Sequence, residues 1–266
     1  MSIRLRRISS ASDRRVSAPW NSTPHFVFWG SLSPITQVQR QIVRSLFDSI
    51  ALRYDLLNHL LSGGVDTYWR RRAIRRLPHA AGGRILDVAT GTADCAIAAV
   101  RLGPREVVGV DIAERMLDVA RKKLAARGLT QIVSLRKGEA ESLPFPDGSF
   151  DAAIVAFGVR NFENLEAGLS EMRRVLRPGG TLVVLEFSRP RAFPFREVYL
   201  FYFLHVLPLL GRLISGNREA YAYLPASVMA FPEGEEFLAI LARAGFASAT
   251  AERMTFGIAS IYTAEK

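Results

Sequence analysis

Two aspartates stand where a carboxylate is expensive. Asp87 interrupts the apolar run Arg84-Ile-Leu-Asp-Val-Ala89, and Asp111 ends a second run, Val107-Val-Gly-Val-Asp111. A buried carboxylate costs free energy unless something pairs with it, so both positions are candidates for chemistry. Between them lies Thr90-Gly91-Thr92. Gly91 gives the backbone conformations closed to other residues and lets a ligand approach closely. Asp111 follows Gly91 by 20 residues, a separation at which a strand-end acid reaches ribose hydroxyls. Glu139 and Ala140 open the loop Gly138–Pro146 after a third short apolar run, Ile132-Val-Ser-Leu135. That loop is placed to meet an adenine edge. Strand, glycine turn and helix start together make a ligand crevice at the carboxyl ends of a parallel sheet.

The charge of the turn narrows the ligand. Dinucleotide turns usually carry three glycines, two of them admitting a pyrophosphate. Here Gly91 is alone, no basic residue stands in the turn, and Asp87 and Asp94 repel phosphate. A cationic sulfonium bearing a ribose fits better, which points to S-adenosylmethionine. The candidate cofactor contacts are Asp87, Gly91, Asp111, Ile112, Glu139 and Ala140. No Cys/His cluster has metal-ligand spacing, so no metal is expected. Cys95, the single cysteine, reads as a small packed thiol and rules out an internal disulfide framework.

The elements that must hold these residues alternate. Apolar runs over 85–89, 107–111, 132–135, 150–157 and 181–187 read as strands. Helical periodicity covers 93–102, 113–127 and 165–176, the last closed by Pro178-Gly179-Gly180. Short alternating strands and helices argue for an open α/β sheet. A helix over 237–243 and two strands, 247–253 and 257–263, end the chain as an antiparallel hairpin. Ahead of the first strand, Val38, Ile42, Leu46 and Ile50 recur at helical spacing, and a helix over 66–77 carries five arginines.

Charge is concentrated early. Residues 1–84 hold 14 Arg and 4 acids, while 85–266 hold 21 basic and 21 acidic residues. A basic arm over 1–34 attracts RNA or an anionic membrane, or is simply solvated. Its composition suits an organelle transit peptide or a bacterial extension equally, and it lacks a secretory core. The neutral remainder argues against nucleic acid as the main substrate. The run Val198–Gly211 has no charged residue and includes Pro208. It is shorter than the ~20 residues that span a bilayer. A buried helix and an apolar lid touching a membrane both remain open for it.

Beyond these patterns, the chain from about Val38 to Thr263 resembles the ubiquinone/menaquinone-biosynthesis C-methyltransferases. The stretches that carry the resemblance include Phe47–Asn58, Leu86–Asp94, Phe157-Gly-Val-Arg-Asn-Phe162, Leu185-Glu-Phe-Ser-Arg-Pro190 and Tyr221-Ala-Tyr-Leu-Pro225. It implies a class I S-adenosylmethionine-dependent methyltransferase fold: a mostly parallel seven-stranded sheet, helices on both faces, and a C-terminal hairpin. It implies residues 35–266 as the methyltransferase domain, with a helical flap at 35–83 and an apolar lid at 190–231. The implied reaction is ring methylation of a polyprenylated hydroquinone, demethylmenaquinol before ubiquinone precursors. Arg160 and Asn161, directly after the fourth strand, are the catalytic candidates, with Arg160 stabilising a phenolate or forming a surface ion pair. The resemblance adds Thr92 to the cofactor contacts. Tyr54, the third catalytic candidate, and Asp55 would sit on the flap over the cofactor, or simply pack and cap. His59 and His205 are further bases, His205 being expected as a buried histidine. The partners implied are the quinol and, peripherally, the inner face of a membrane reached from the cytoplasm; a second copy of the chain stays open. An RNA methyltransferase and a non-catalytic cofactor-binding module are the competing readings. Three positions depart from the family pattern. Ala93 replaces a glycine, with a helix start expected to tolerate it, Glu139 replaces a shorter side chain, and Ala156 stands where the family often has a serine before Phe157-Gly158.

Overall fold

Seven strands form one sheet in the order β3-β2-β1-β4-β5-β7-β6. The computed structural model describes residues 37–51, 54–55, 59, 62–78, 80–206 and 218–266, all within a compact unit running from Pro34 to Lys266. The strands are β1 Arg84–Val88, β2 Glu106–Asp111, β3 Val133–Lys137, β4 Phe150–Ala156, β5 Leu176–Phe187, β6 Ser248–Met254 and β7 Ala259–Glu265. The first five run parallel, and β7 is antiparallel to both β5 and β6. The helices are α1 Gln37–Ile50, α2 Val65–Ile74, α3 Asp94–Ala99, α4 Glu114–Ala126, α5 Leu165–Val175, α6 Phe195–Phe201, α7 Arg218–Ala230 and α8 Glu235–Arg243.

The central strands are apolar on both faces because helices cover both. Leu86 and Val88 join Ala153 and Val155 in one core, while Ile85 joins Ala152 and Ile154 in the other. The strand order reverses between β1 and β4, the place where open α/β sheets open a crevice at their carboxyl ends. Asp87 and Asp111 therefore sit on adjacent strands beside that opening.

Several boundaries differ from the sequence pattern. Strand β5 begins at Leu176, straight after α5, and runs through Pro178-Gly179-Gly180. The chain end holds it there: Gly179 N–H donates to Lys266 O, and Lys266 N–H donates to Gly180 O, each at 3.0 Å. The apolar run from Val198 is not one helix. α6 ends at Phe201 and a π-turn, Tyr202–Val206, follows. His205 is exposed there, its ring 5.3 Å from that of Phe201. The expectation of a buried histidine fails because the turn aims it outward. The arm over 1–34, the side chains of Val38, Ile42 and Tyr221, residues 56–58, and 207–217 lie outside the described residues.

Candidate active site

Two adjoining cavities open at the carboxyl end of the sheet. The first is a crevice bordered by Gly91, Asp111, Ile112, Glu139, Ala140 and Asn161, with Ala156 and Gly158 behind them. The second, about 480 Å³, has an aromatic wall: Trp69, Phe157, Phe187, Phe195, Tyr199, Tyr202, Phe203 and Tyr223. Phe47, Tyr54 and Phe157 border both, so the cavities share a seam.

Backbone strain gathers at this end of the sheet. Ala89, Ala93 and Phe157 have left-handed φ values of 53°, 67° and 58°, a region that costs a residue with a Cβ roughly 1–2 kcal/mol. Such strain persists where surrounding structure over-determines it, often at functional sites. Ala93 is thus not a tolerant helix start. It is a left-handed cap just outside α3, fully buried. Gly91 also has positive φ, 55°, and open space where a Cβ would project. Gly158 is required for a different reason: a Cβ there would lie 2.5 Å from the Cβ of Ala89.

Asp111 borders the crevice with both oxygens engaged. Oδ2 accepts from Gly91 N–H and Oδ1 from Ala113 N–H, each at 2.8 Å. Burial raises its carboxyl above the usual range, against the pull of those backbone donors. Asp87 and Thr92 lie behind the crevice rather than on its wall. Asp87 Oδ2 accepts from Thr90 Oγ1 at 2.6 Å and Ala96 N–H at 3.0 Å, and burial pushes this carboxyl up to about 7. The Thr92 hydroxyl donates to Asp55 Oδ1. Lys123 ties this group together, its Nζ 2.5 Å from Asp55, 2.7 Å from Asp94 and 3.1 Å from Thr92. Asp55 therefore fastens the segment carrying Tyr54 to the glycine turn. Tyr54 meets the Phe47 ring edge-on at 6.1 Å. His59 is exposed, 3.3 Å from Asp66, and borders neither cavity. Arg70 pairs with the same Asp66. Burial alone would raise the Asp66 carboxyl, but Arg70, the Ser62 hydroxyl and His59 bring it below the usual range. Cys95 is packed in the core, where burial pushes its thiol well up.

Arg160 is not at the surface, and its ion pair is not a surface pair. Its side chain is 5% exposed and the partner Glu186 0%. Nη1 reaches Glu186 Oε1 at 2.8 Å and Phe157 O at 2.5 Å, and Nε donates to Ser227 Oγ at 3.2 Å. The guanidinium lies 5.6 Å from the centre of the Phe187 ring. Burial raises the Glu186 carboxyl, and Arg160 opposes the rise. Asn161 accepts from the Tyr223 hydroxyl at 2.9 Å. Arg160 borders the aromatic cavity and Asn161 the crevice.

Glu186, Lys123 and Tyr223 were not among the candidates the sequence pattern raised. For Glu186 the signal was available: like Asp87, it is a carboxylate inside the apolar run of a central strand. Lys123 sits on a helix where nothing local marks it, whereas Tyr223 lies in Tyr221-Ala-Tyr-Leu-Pro225, a stretch that carries the resemblance but suggested no role for it.

Among the described residues no lysine or arginine borders the crevice, whereas Asp111, Glu139, Glu141 and Glu163 do. That donor set suits a cation with hydroxyls and disfavours a pyrophosphate. Residues 35–266 match the sequence profile of the ubiE/COQ5 methyltransferase family. The chain belongs to this family. It is 53% identical to a demethylmenaquinone methyltransferase of Thermus thermophilus over 83% of this chain and 100% of the relative. It is 49% identical to a ubiquinone/menaquinone biosynthesis C-methyltransferase of Geobacter sulfurreducens over 84% of this chain and 88% of the relative. A putative S-adenosyl-L-methionine-dependent methyltransferase of Methanococcus maripaludis shares the fold, with a TM-score of 0.59, 17% identity, and coverage of 83% of this chain and 94% of that one. The protein is an S-adenosylmethionine-dependent methyltransferase, and the acidic crevice suits that cofactor.

Proposed function

We propose that the enzyme methylates a ring carbon of a polyprenylated hydroquinone, converting demethylmenaquinol to menaquinol. The observation that carries this reading is the aromatic-walled cavity sharing a seam with the cofactor crevice. A planar ring fits between such walls, and an apolar tail gains from leaving along them. The name of the Thermus thermophilus relative supports the menaquinone route. The name of the Geobacter sulfurreducens relative covers both routes, so a ubiquinone precursor is the second reading.

S-adenosylmethionine supplies an electrophilic methyl on a positively charged sulfur. Asp111, Ile112, Glu139 and Ala140 would hold its nucleoside, with Gly91 leaving room, and Asp87 and Thr92 would support the turn from behind. The ring hydroxyl loses its proton to water, and charge moves to the adjacent ring carbon. With the cofactor held in the crevice, that carbon would take up its methyl, and the ring proton would then leave to solvent. Arg160 would stabilise the phenolate oxygen, while Asn161 and Tyr54 orient the ring at the seam. Alignment of two reactants accounts for much of such a rate.

The substrate lives in a bilayer, and among the described residues no helix is long and apolar enough to cross one. Phe193, Val198, Phe201 and Phe256 are exposed beside Arg191 and Arg196, next to the aromatic cavity. We assign this face, on the lid at 190–231, to contact with the inner leaflet; exposed apolar side chains with arginines nearby, Arg191 paired with Glu233 and Arg196 with Glu197, suit that interface. Flotation with anionic vesicles should lose the Phe193→Ser/Phe201→Ser variant. Undiminished flotation removes the face from the account. For the reaction, quinone mass spectrometry of cells lacking the protein should show demethylmenaquinone accumulating. An accumulated ubiquinone precursor would favour the second reading, and an unchanged pool would sink both.

A further inference from the structure

Two residues of α7 grip the turn that carries the catalytic pair. Tyr223 and Ser227 stand four apart, about one helical turn. Tyr223 donates to Asn161 Oδ1 at 2.9 Å, and Ser227 Oγ accepts from Arg160 Nε at 3.2 Å. Tyr223 borders the aromatic cavity and Asn161 the crevice, so the Tyr223–Asn161 bond links the walls of the two cavities.

The direction of that bond has a chemical meaning. A carboxamide has one acceptor end and one donor end. With Oδ1 held by a hydroxyl, Nδ2 is the end left for a ligand, and it has no hydrogen-bond partner among the described residues. Arg160 is left in the same state. Its Nε and Nη1 are committed, and Nη2 has no partner among the described residues.

We propose that Tyr223 is a positioning residue that fixes the polarity of the Asn161 amide, so that the seam offers the substrate two donors, Asn161 Nδ2 and Arg160 Nη2. Two donors converging on one oxygen favour its ionised form, since a phenolate accepts two hydrogen bonds and donates none. The lid helix thereby sets the chemistry of the site as well as covering it. The inference rests on the hydroquinone reading above. Tyr223 is suited to the task because burial raises its phenol, against the opposing pull of Arg160 and with Glu186 adding to the rise. It therefore keeps its proton and remains a donor. Arg160 and Glu186 are the charged groups that act on it.

The test uses the full chain, S-adenosylmethionine and a short-tailed demethylmenaquinol in detergent micelles. Tyr223→Phe keeps the ring and its packing and removes only the hydroxyl. It should lower kcat about tenfold, the scale of a hydrogen bond to a charged group. Its cofactor Kd should stay within about twofold, since a misturned amide does not alter the nucleoside contacts. The ionisation in the kcat profile, which belongs to the enzyme–substrate complex, should move to higher pH as the phenolate loses a donor. Asn161→Ala should lose at least as much, and adding Tyr223→Phe to it should cost nothing further. Three results overturn the proposal with wild-type turnover intact: an unaffected Tyr223→Phe enzyme, additive losses in the double variant, or a cofactor Kd that weakens in step with kcat. If Tyr223→Phe does not fold, the pH profile of Asn161→Ala decides, and an unshifted profile overturns the proposal. No turnover of the quinol by the wild type overturns the hydroquinone reading, and this inference with it.

Discussion

Replacing Asp87 by Asn should remove a large share of the pH dependence of folding. Asp87 lies in β1 with 1% of its surface exposed. Burial is the main cause lifting its carboxyl from 3.8 to about 7; Asp111 adds to the rise, while Thr90, the Ala96 amide and Arg70 oppose it. In the unfolded chain an aspartate titrates near 3.9. Below about pH 4 the group is protonated in both states and contributes nothing to the balance. Between about 4 and 7 the unfolded chain gives up the proton while the folded chain keeps it, so stability falls as pH rises. Above about 7 the penalty is constant. Roughly three pH units at about 1.4 kcal/mol each make it on the order of 4 kcal/mol. Both hydrogen bonds to Asp87 converge on Oδ2, so an asparagine with its carbonyl oxygen in that place keeps them. Urea denaturation of the ligand-free protein at pH 5 and pH 8.5 reads the effect. Asn should gain on Asp by ~2–3 kcal/mol between the two pH values. A gap of the same size at both would refute the account of Asp87 as a buried carboxyl that holds its proton.

Three further outcomes follow from the crevice. Asp111→Ala removes the carboxylate that accepts from Gly91 and Ala113 at 2.8 Å each, so S-adenosylmethionine affinity by calorimetry should fall at least about tenfold; near-normal affinity would move the ribose contact elsewhere. Ala93→Val places a β-branched side chain at φ 67° in a fully buried site and should cost ~2 kcal/mol or more by urea denaturation. Ala93→Gly should stay within about 1 kcal/mol of wild type, because relief of left-handed strain offsets the lost buried methyl. Lys123→Met breaks the contacts to Asp55, Asp94 and Thr92 together; hydrogen exchange at amides 44–55 should speed up about tenfold, and unchanged protection would show that Asp55 is not the fastening point.

Much of the fold was legible because its signals are local. The central strands are short apolar runs bounded by turn residues, and α4 carries Met116, Leu117, Ala120 and Leu124 on one buried face. Chain order and strand–helix alternation then imply a parallel sheet with its ligand at the carboxyl ends. The crevice followed from the same signals: Gly91, Asp111, Ile112, Glu139 and Ala140 all border it. Residue types alone also favoured a sulfonium cofactor over a phosphate-rich one, and S-adenosylmethionine is the family's cofactor.

Tertiary structure decided whatever depended on a distant partner. The start of β5 could not be read from Leu176, because Pro178-Gly179-Gly180 is turn chemistry until Lys266, at the far end of the chain, supplies its hydrogen bonds. Arg160 looks the same in sequence whether it faces water or a buried carboxylate; Glu186 on β5 and Ser227 on α7 make it a buried, oriented cation. Asp87 and Thr92 stand close to Gly91 in the chain, yet their side chains are buried in bonds to Thr90, Ala96 and Asp55 and do not border the crevice. Types and spacing determined which cofactor the protein takes, because charge and a glycine turn are properties of a few adjacent residues. Which groups line the aromatic cavity was decided by the turn after β4, the end of β5, α1, α2, α6 and α7 meeting there, since burial and hydrogen-bond direction exist only after distant segments have packed.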